Sequence, residues 1–584
     1  MHIPKRWMLL SHDTSATDRL AKTLGIVPAL AQLLLNRGVH TPDQAKAFLH
    51  PSLNSLHDPS SLPGITEAAE RIHQAALDRK RICIYGDYDV DGITASTILW
   101  RCLTIAGADV DYYVPDRIEE GYGLNSEALR KLKEQNFQLV VTVDCGITSV
   151  EQAKVARKLG LELIVTDHHE MKDELPDATV LVHPRLPGSE YPFKELCGAG
   201  VAFKLAWAIA QKFSNAQKVS ENFKNFLVES IALVALGTVA DVVPLIGENR
   251  IFVRQGLKSL QSAPSIGLKA LIQAAELGEK ELDAGHIGFT LAPRLNAAGR
   301  LGQARLAIEL LATSHTTRAV DLARYLNDQN EKRQTVERRI TSQAKELIEA
   351  MGEQADTPAY VLSSDEWHPG VIGIVASRLV DKYARPVLMI STQEEVGSGS
   401  GRSIDGFALH EALAACNQHL LSHGGHAMAA GFKVAKENIE ALRSAFIEHA
   451  GKKLDGRTLQ HTLNIDAEIS LSALTMGLLK GIAALAPHGS GNRRPLFLAS
   501  GLQVVGEPKK VGKGENHLSF RVKQSSGPTI KAIAWGMGDR VEELLSQSGQ
   551  CSLVFTPKPN EWNGYTSIDM EVADLQAGGV AKLQ

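Results

Sequence analysis

Short apolar segments alternate with helix-like stretches in the first third of the chain, and this alternation limits the possible folds more than any other feature. The strand candidates span residues 81–85, 109–114, 138–143, 161–166 and 179–183. Strands that are apolar along their whole length are buried on both faces, and helices between them favour parallel pairing. The sequence therefore predicts an α/β domain with a mostly parallel, doubly wound sheet.

The rest of the chain predicts further domains, because 584 residues exceed what one hydrophobic core usually holds. A polar stretch with spaced apolar residues predicts a long helix packed on one side, and a second α/β pattern follows it. Short strands with Gly and Pro turns near the end are typical of a small barrel such as an OB-fold. We expect these divisions: an N-terminal helical segment (1–60), the first α/β domain (61–314), a connecting helix (315–352), a smaller α/β domain (353–455) and an all-β OB-like domain (456–577).

The composition is that of an ordinary globular protein, with 44% hydrophobic and 22% charged residues. We find no run of eighteen apolar residues and no signal-peptide pattern, so we expect no membrane segment. The six cysteines form no CxxC pair, which argues against a zinc ribbon or a disulfide framework and fits a reducing, cytoplasmic environment. A formal net charge of −4 gives no overall sign of nucleic-acid binding.

Three aspartates occupy alternate positions directly after the first strand candidate, in the stretch GDYDVDG. They are Asp87, Asp89 and Asp91. A calcium-binding EF-hand loop begins in the same way, but it needs a glutamate at its twelfth position, where this chain has Ile98. By itself the motif is compatible with a metal site or with a plain acidic turn at the end of a strand.

Acidic and histidine residues recur after two later strands, as Asp144 and as the run Asp167-His168-His169. In a doubly wound sheet the C-terminal ends of the strands line one crevice, so we expect these groups to converge there. Carboxylates gathered in one place repel one another, and a bound cation relieves the repulsion. Oxygen ligands mixed with imidazole suit Mn²⁺ or Mg²⁺ better than a structural zinc, which favours thiolates.

One further acid, Asp241, stands in the long apolar stretch IALVALGTVADVVPL. A buried aspartate is costly unless it is paired or bound to a metal. Asp241 is therefore a candidate for a further metal ligand, with the capping of a neighbouring helix as the alternative.

Four stretches in this order and spacing, GDYDVDG, VDCG, TDHH and GTVADVVPL, resemble the motifs of the DHH phosphoesterase superfamily. Two later stretches, APRLNAAGRL and HGGHAMAAGF, are similar to its RecJ branch, and the second resembles the signature of the companion domain called DHHA1. The resemblance covers essentially the whole chain. It implies a DHH domain over 61–314 and a DHHA1 domain over 353–455.

The resemblance also implies roles for individual residues. The family's metal-ligand positions fall on Asp89, Asp91, Asp144, His168 and Asp241, and Asp87 would complete the cluster. His169 falls on the position that faces the scissile phosphate, and Asp144 is the candidate to bridge two ions, so these are the two expected catalytic residues. Asp167 would orient the neighbouring histidine. The implied cofactors are two Mn²⁺ or Mg²⁺ ions.

A Gly/Ser-rich stretch with one arginine, GSGRS at 399–403, suits the capture of a phosphate group, although such turns are also common without a ligand. In the RecJ resemblance Ser400, Arg402 and Ser403 lie in the DHHA1 segment that holds a terminal 5′-phosphate, which would enforce exonuclease action. Arg300 and His426 lie in family motifs that face the cleft. Gly425 is expected to permit close backbone approach of the bound strand.

Taken together, the resemblance implies a 5′→3′ exonuclease that hydrolyses single-stranded DNA to 5′-mononucleotides. The cysteine pattern predicts a cytoplasmic protein, and the lack of an apolar dimerisation stripe predicts a monomer. It would act in recombination and mismatch repair beside a single-strand-binding protein and a helicase. One alternative is a related phosphoesterase for pyrophosphate, cyclic dinucleotides or short oligonucleotides, but such relatives lack the connecting helix and the barrel. Another is a metal-free replication scaffold, which should have lost ligands that this chain retains.

Overall fold

The computed structural model describes residues 5–116, 120–121, 123–215, 218–262, 264–300, 303–352, 356–455, 459–525, 527–562 and 564–583. The side chain of Arg300 lies outside this description, so its expected place on the cleft stays a prediction. The chain starts with one strand and three helices: β1 (Arg6–Leu9), α1 (Thr14–Leu24), α2 (Pro28–Leu35) and α3 (Pro42–Leu49).

A sheet of five parallel strands follows, in the order β3-β2-β4-β5-β6. Its elements are α4 (Ile65–Leu77), β2 (Ile82–Gly86), α5 (Val90–Ile105), β3 (Val110–Tyr113), α6 (Ser126–Glu134), β4 (Leu139–Val143), α7 (Val150–Lys158), β5 (Glu162–Thr166) and β6 (Val180–Val182). Alternate residues of β2 enter different cores, since Ile84 packs with α4 and α5 whereas Tyr85 packs with α6 and α7. Both faces are thus covered, and the predicted doubly wound parallel sheet is confirmed.

Helices complete this domain and surround the sheet on the side of α5. They are α8 (Gly198–Ser214), α9 (Glu221–Ala240), α10 (Gly247–Ser262), α11 (Ile266–Ala274), α12 (Ala284–His286), α13 (Ala292–Arg300) and α14 (Ala304–Ala312), with a π-helical segment at Ile287–Leu291 between α12 and α13. By length and a mean hydropathy of 1.5, α9 could cross a membrane, although no run of eighteen apolar residues occurs in it. However, 67% of its apolar window is buried inside the protein, so its composition is accounted for by the core.

A single long helix, α15 (Thr316–Ala350), joins this domain to the next. In its first half Leu322 and Leu326 pack into the core of the parallel-sheet domain, whereas in its second half Ile340 and Ile348 pack against the following sheet. That mixed sheet has the order β10-β11-β9-β8-β7. Its elements are β7 (Tyr360–Ser364), α16 (Ile372–Tyr383), β8 (Val387–Ser391), β9 (Val396–Arg402), α17 (Leu409–Ala415), β10 (Ser422–Gly425), β11 (Ala429–Ala435) and α18 (Ile439–Leu454).

The last part of the chain is a closed five-stranded barrel, which confirms the predicted OB-like fold. The pairing β14-β15-β16-β18-β17 returns to β14 because β14 also pairs with β17. The elements are β12 (Thr462–Ile465), β13 (Ala467–Glu468), α19 (Met476–Ala484), β14 (Phe497–Val511), β15 (His517–Lys523), β16 (Ile530–Ala534), α20 (Val541–Leu545), β17 (Gln550–Trp562) and β18 (Tyr565–Ala577).

Contacts between distant segments close the chain onto itself. Strand β1 pairs with β12, and Trp7 Nε1 donates a hydrogen bond to Asp574 of the barrel. Arg250, on α10, is buried and donates to the carbonyl oxygens of Phe48 (2.8 Å), Leu485 (2.9 Å) and Ala486 (2.9 Å). One arginine of the parallel-sheet domain therefore binds both the N-terminal helices and the entry to the barrel.

A fully buried ion pair fixes the segment that leads into the parallel sheet. Lys204 Nζ lies 2.6 Å from Glu248 Oε1 and also donates to the carbonyl oxygen of His57. The hydroxyl of Tyr191 donates to the other carboxylate oxygen, at 2.5 Å. Burial lowers the pKa of Lys204, and the charge of Glu248 opposes this shift.

Replacing Glu248 by Ala should lower the free energy of unfolding by about 3–5 kcal/mol, because it leaves a buried ammonium group without its counter-charge. Urea denaturation followed by fluorescence would measure the change. The matched control is Glu221→Ala, which removes the exposed ion pair with Lys224 and should cost about 1 kcal/mol or less. Equal losses in the two variants would contradict this account of the pair.

Candidate metal centre

Acidic and histidine side chains meet at the carboxyl edge of the parallel sheet. Asp87 directly follows β2, Asp144 follows β4, which is the middle strand of the five, and His168 comes two residues after β5. Asp241 reaches the same place from the C-terminus of α9. Parallel pairing brings these strand ends together, as expected from the sequence.

The first motif supplies two carboxylates that also bind helix N-termini. Asp89 caps α5, and its Oδ1 accepts hydrogen bonds from the backbone N–H groups of Asp91 (3.0 Å) and Gly92 (3.2 Å). Asp91 accepts from the N–H groups of Gly198 (2.6 Å) and Ala199 (2.8 Å) at the start of α8. Helix N-termini favour negative charge, so α5 and α8 hold these two acids in place.

Three carboxylates surround one imidazole. Nε2 of His168 lies 3.1 Å from Asp144 Oδ1, 3.5 Å from Asp241 Oδ2 and 3.7 Å from Asp91 Oδ2. Three overlapping groups have ligand atoms within 4.8 Å of one another, and Asp144 belongs to two of them: Asp144 with His168 and His169, Asp91 with His168 and Asp241, and Asp87 with Asp89 and Asp144. The expected ligands therefore lie in one cluster.

The side chains of this cluster fit a divalent cation. Asp144 is only 2% exposed, yet its Oδ1 makes no hydrogen bond of acceptable geometry, and neither does Nε2 of His168. Burial, followed by the charges of neighbouring aspartates, raises the pKa of Asp144 well above its usual range, and the same causes raise the pKa of Asp241. In the described part of the chain, the ion pairs of these two acids and of Asp91 involve only His168 and His169. A bound Mn²⁺ or Mg²⁺ would supply the missing positive charge, and oxygen ligands with one imidazole suit either ion.

The two adjacent histidines have opposite properties. Burial lowers the pKa of His168 to about 4, so its ring is neutral at pH 7 and carries a lone pair for a metal. Burial alone would also lower the pKa of His169, but the hydrogen bond and charge of Asp167 raise it to about 9. His169 is therefore cationic at neutral pH.

Asp167 orients this loop. Its Oδ1 lies 2.7 Å from Nδ1 of His169 and accepts from the N–H groups of His168 and His169, while Oδ2 accepts from the N–H of Ile147. Although burial disfavours its charge, the hydrogen bond to His169 lowers the pKa of Asp167 below its usual range. With its oxygens occupied in this way, Asp167 positions His169 and the loop, as the resemblance implied.

Three residues that support the cluster were not found from the sequence. A Cβ at Gly198 would lie 2.5 Å from Asp144 Oδ1, and a Cβ at Gly237 would lie 2.4 Å from Asp91 Oδ1. Only glycine leaves room for the carboxylates at these two positions. Buried His183 accepts from the N–H of Arg185 at Nδ1, so its Nε2 donates to the carbonyl oxygen of His169. A run of small residues, CGAG, and a histidine at the end of β6 were the available signals.

A candidate anion site lies on the second sheet. Ser400 and Arg402 stand two residues apart on β9, and Nη1 of Arg402 lies 3.2 Å from the hydroxyl of Ser400. The start of α16 covers them, because a Cβ at Gly373 would lie 2.8 Å from Ser400 Oγ and 3.2 Å from Arg402 Nη2. A guanidinium group, a hydroxyl and the N-terminus of a 12-residue helix thus come together, and all three favour an anion.

The neighbouring candidates each have contacts that the sequence did not reveal. Ser403 is buried, its hydroxyl donates to the carbonyl of Phe407 and its N–H donates to the carbonyl of Met428, so both groups hold the turn after β9. Its expected place in the 5′-phosphate site stays a prediction. Gly425 has φ 138°, and a Cβ there would lie 2.5 Å from the backbone of β11, so the close approach that requires glycine is to β11 of the same sheet. His426 is exposed, with Nδ1 3.5 Å from Glu170 Oε2, which places it opposite the loop that carries His169.

Comparison with known families gives three matches along the chain. They are "DHH family, N-terminal domain" over residues 81–238, "DHHA1 domain" over 356–452 and "RecJ OB domain" over 465–574. These matches coincide with the parallel sheet, the mixed sheet and the barrel.

Curated relatives and solved structures agree with these matches. The single-stranded-DNA-specific exonuclease RecJ of Bacillus subtilis (strain 168) is 38% identical over 573 residues, which cover 97% of this chain and 70% of that protein. The protein of the same name from Escherichia coli (strain K12) is 33% identical, with 94% and 96% covered. The crystal structure of RecJ in complex with Mn²⁺ from Thermus thermophilus has a TM-score of 0.84 at 32% identity and covers 99% of this chain and 80% of its own.

The pairing of His169 with Asp167 predicts a pH dependence for the metal-free protein. Because the pKa of His169 is raised, the pair's contribution to stability is complete below about pH 6.5 and is lost as the pH rises through about 9. In an Asp167→Asn variant the pKa of His169 should fall towards 6.5, as measured by NMR titration with labelled histidine. Asp173→Asn, which changes an exposed acid of the same loop, should leave it unchanged. A pKa of His169 that stays near 9 without Asp167 would refute the assignment.

Proposed function

The chain belongs to the RecJ family of single-stranded-DNA-specific exonucleases within the DHH phosphoesterases, and from this premise we propose that it hydrolyses single-stranded DNA from the 5′ end to 5′-mononucleotides with Mn²⁺ or Mg²⁺. The observation that carries the proposal is the buried cluster around His168, where Asp144 Oδ1 and His168 Nε2 lack hydrogen bonds. Such a cluster is built for divalent cations and is typical of phosphodiester hydrolysis.

Most residues of the cluster would bind the metal ions, and one, His169, would donate a hydrogen bond to the substrate. Asp87, Asp89, Asp91, Asp144, His168 and Asp241 would hold two ions, with Asp144 shared because it belongs to two of the three ligand groups. The ions, when bound, supply charge neutralisation at the phosphate and a lower pKa for attacking water. His169 is partly exposed, and because Asp167 engages Nδ1, the cationic ring would donate from Nε2 to a phosphate oxygen. This hydrogen bond would stabilise the charge that develops on the phosphate or on the departing oxygen.

The anion site at Ser400, Arg402 and the start of α16 supports the 5′ polarity. A terminal phosphate carries more negative charge than an internal phosphodiester and exposes more oxygens, so it would be bound more strongly by these groups. His426, across from Glu170, lies beside the loop that carries His169, so it would contact a strand that enters the metal centre. Binding of the terminal phosphate at one site and hydrolysis at the other would release one end nucleotide at a time.

The compartment, the oligomeric state and the partners of the protein are also proposals. We expect the protein to act as a cytoplasmic monomer in recombination and mismatch repair, with a single-strand-binding protein and a helicase as partners. The six cysteines are free and buried, which fits a reducing compartment. The barrel and the connecting helix favour a polymeric strand over pyrophosphate or a cyclic dinucleotide, because both add surface away from the metal cluster.

The decisive measurement is hydrolysis of single-stranded DNA labelled at either end, with and without Mn²⁺, beside duplex DNA, RNA and pyrophosphate. Mononucleotides should appear first from the 5′ end and only with metal. Asp144→Asn should reduce turnover on the order of 1,000-fold, because asparagine tolerates the left-handed backbone at this position (φ 61°) but removes the shared carboxylate. Pyrophosphate turnover without DNA cleavage would overturn the proposed substrate, and an active Asp144→Asn protein would overturn the proposed site.

The 5′-phosphate site has its own test. Replacing Arg402 by Ala should raise the KM for 5′-phosphorylated strands by about 10- to 100-fold, since a charge-assisted hydrogen bond is lost, and should change the KM for 5′-hydroxyl strands little. Lys452→Ala removes one exposed positive charge from the same domain and should leave both values as they are. If Arg402→Ala affected both kinds of end equally, Arg402 would be a general contact and not a reader of the terminal phosphate.

A further inference from the structure

One aromatic side chain near the metal cluster stands almost entirely in water. Phe289 is 88% exposed, more than any other large apolar side chain in the part of the chain that the structure describes. It lies at the centre of the π-helical segment Ile287–Leu291, whose two end residues are fully buried. Segments of π-helix are rare and often occur at functional sites, which makes an exposed aromatic ring at this position a candidate for contact with a ligand.

The π-helical segment rests on elements that carry metal ligands. A Cβ at Gly288 would lie 3.5 Å from Val239 Cγ1, and Val239 precedes Asp241 by two residues on α9. Helix α13 continues from the segment, and Asn296 on it accepts a hydrogen bond from the N–H of Val90 at the start of α5. The segment that carries Phe289 therefore packs against the helix that ends at Asp241 and continues into a helix that contacts the start of α5.

A second exposed apolar residue lies directly beside a ligand. Val242 follows Asp241, is 67% exposed and has φ 62°, a left-handed conformation that is strained for a β-branched residue. The loop is held there because the N–H of Leu245 donates to the carbonyl of Ser490, at 2.8 Å. Such strain is kept only where the surroundings fix it, and it commonly marks binding sites.

Two adjacent arginines lie at the entry to the barrel, and one of them contacts the residue that caps α12. Arg494 donates to Asp283 at 2.8 Å, and Asp283 caps the short helix α12 that leads into the π-helical segment. Arg493 beside it is exposed, and three residues after Arg494 β14 of the barrel begins. Val242 thus follows a residue of the metal cluster in sequence, and Phe289 follows a short helix whose capping residue binds an arginine at the entry to the barrel.

We propose that Phe289, with Val242 beside Asp241, forms a platform on which a base of the single-stranded substrate stacks, while Arg493 and Arg494 attract its backbone. This inference rests on the proposed function. Every base offers a π-face to an aromatic ring, so the platform would hold any sequence, and neighbouring cations suit the phosphates. A base that is paired in a duplex has both faces covered by its neighbours and would not fit against the ring.

The experiment combines substitution of Phe289 with removal of one base at a time. Steady-state hydrolysis is measured on 5′-phosphorylated strands that carry a single abasic nucleotide, placed at successive distances from the 5′ end. Phe289→Ala should raise KM about 5- to 100-fold on the intact strand, with kcat little changed. At one abasic position the wild type should lose affinity by a similar factor, and Phe289→Ala should lose nothing more there, since the two changes remove the same contact.

Controls separate stacking from folding and from the proposed function. Phe289→Trp should restore KM and Phe289→Leu should not, whereas Leu77→Ala, an exposed apolar change on α4, should behave as wild type. The Tm of each variant is compared with that of the wild type. If Phe289→Ala lowered the Tm, the difference in KM between Phe289→Leu and Phe289→Trp would decide whether an aromatic ring is needed. Equal KM values for Phe289→Ala and wild type would overturn the platform, and this is also the result expected if the ring binds a protein instead. Independent losses of affinity at every abasic position would overturn it as well. Failure of the wild type to degrade single-stranded DNA would instead overturn the proposed function.

Discussion

Asp91, Asp144 and Asp241 bring their carboxylates within 3.7 Å of one imidazole nitrogen, in a pocket from which water is largely excluded. Like charges at such distances are tolerated only where other groups offset them. Much of the surrounding fold can be understood from this need. The N-termini of α5 and α8 point at Asp89 and Asp91, and glycines replace side chains where the carboxylates need room. The negative charge that these groups do not offset would be neutralised by bound metal ions.

The sequence predicted those features that depend on the order of elements along the chain. Apolar strands that end in Asp or His predicted the parallel sheet. They also predicted that Asp87, Asp144 and His168 converge, because parallel strands present the same end at one edge. Asp241 was found because a lone acid in an apolar stretch needs a partner. The opposite pKa shifts of His168 and His169 did not follow from the sequence, since they depend on burial and on the position of the Asp167 carboxylate.

The surroundings that sequence reasoning could not predict are those set by contacts across the sheet. Ser403 and Ser400 look equivalent in GSGRS, but alternation along β9 and the turn after it put the first into the interior and the second beside Arg402. Gly425 is required by the neighbouring strand β11, a pairing that no local pattern reveals. His183 and Gly198 act on the cluster from elements that carry no acidic motif, so their sequence signals did not connect them to the cluster.

Helix α15 is one unbroken helix that belongs to two hydrophobic cores. Its first half packs in the core of the parallel-sheet domain, and its second half packs in the core of the mixed sheet. An α-helix advances by about 1.5 Å and turns by about 100° for each residue. Adding or deleting a single residue between Leu326 and Ile340 would therefore swing the arginine of β9 around the helix axis, away from the cluster at His168. The length of this helix therefore sets both the distance and the angle between the two sites, which no change in a surface loop would alter in the same way.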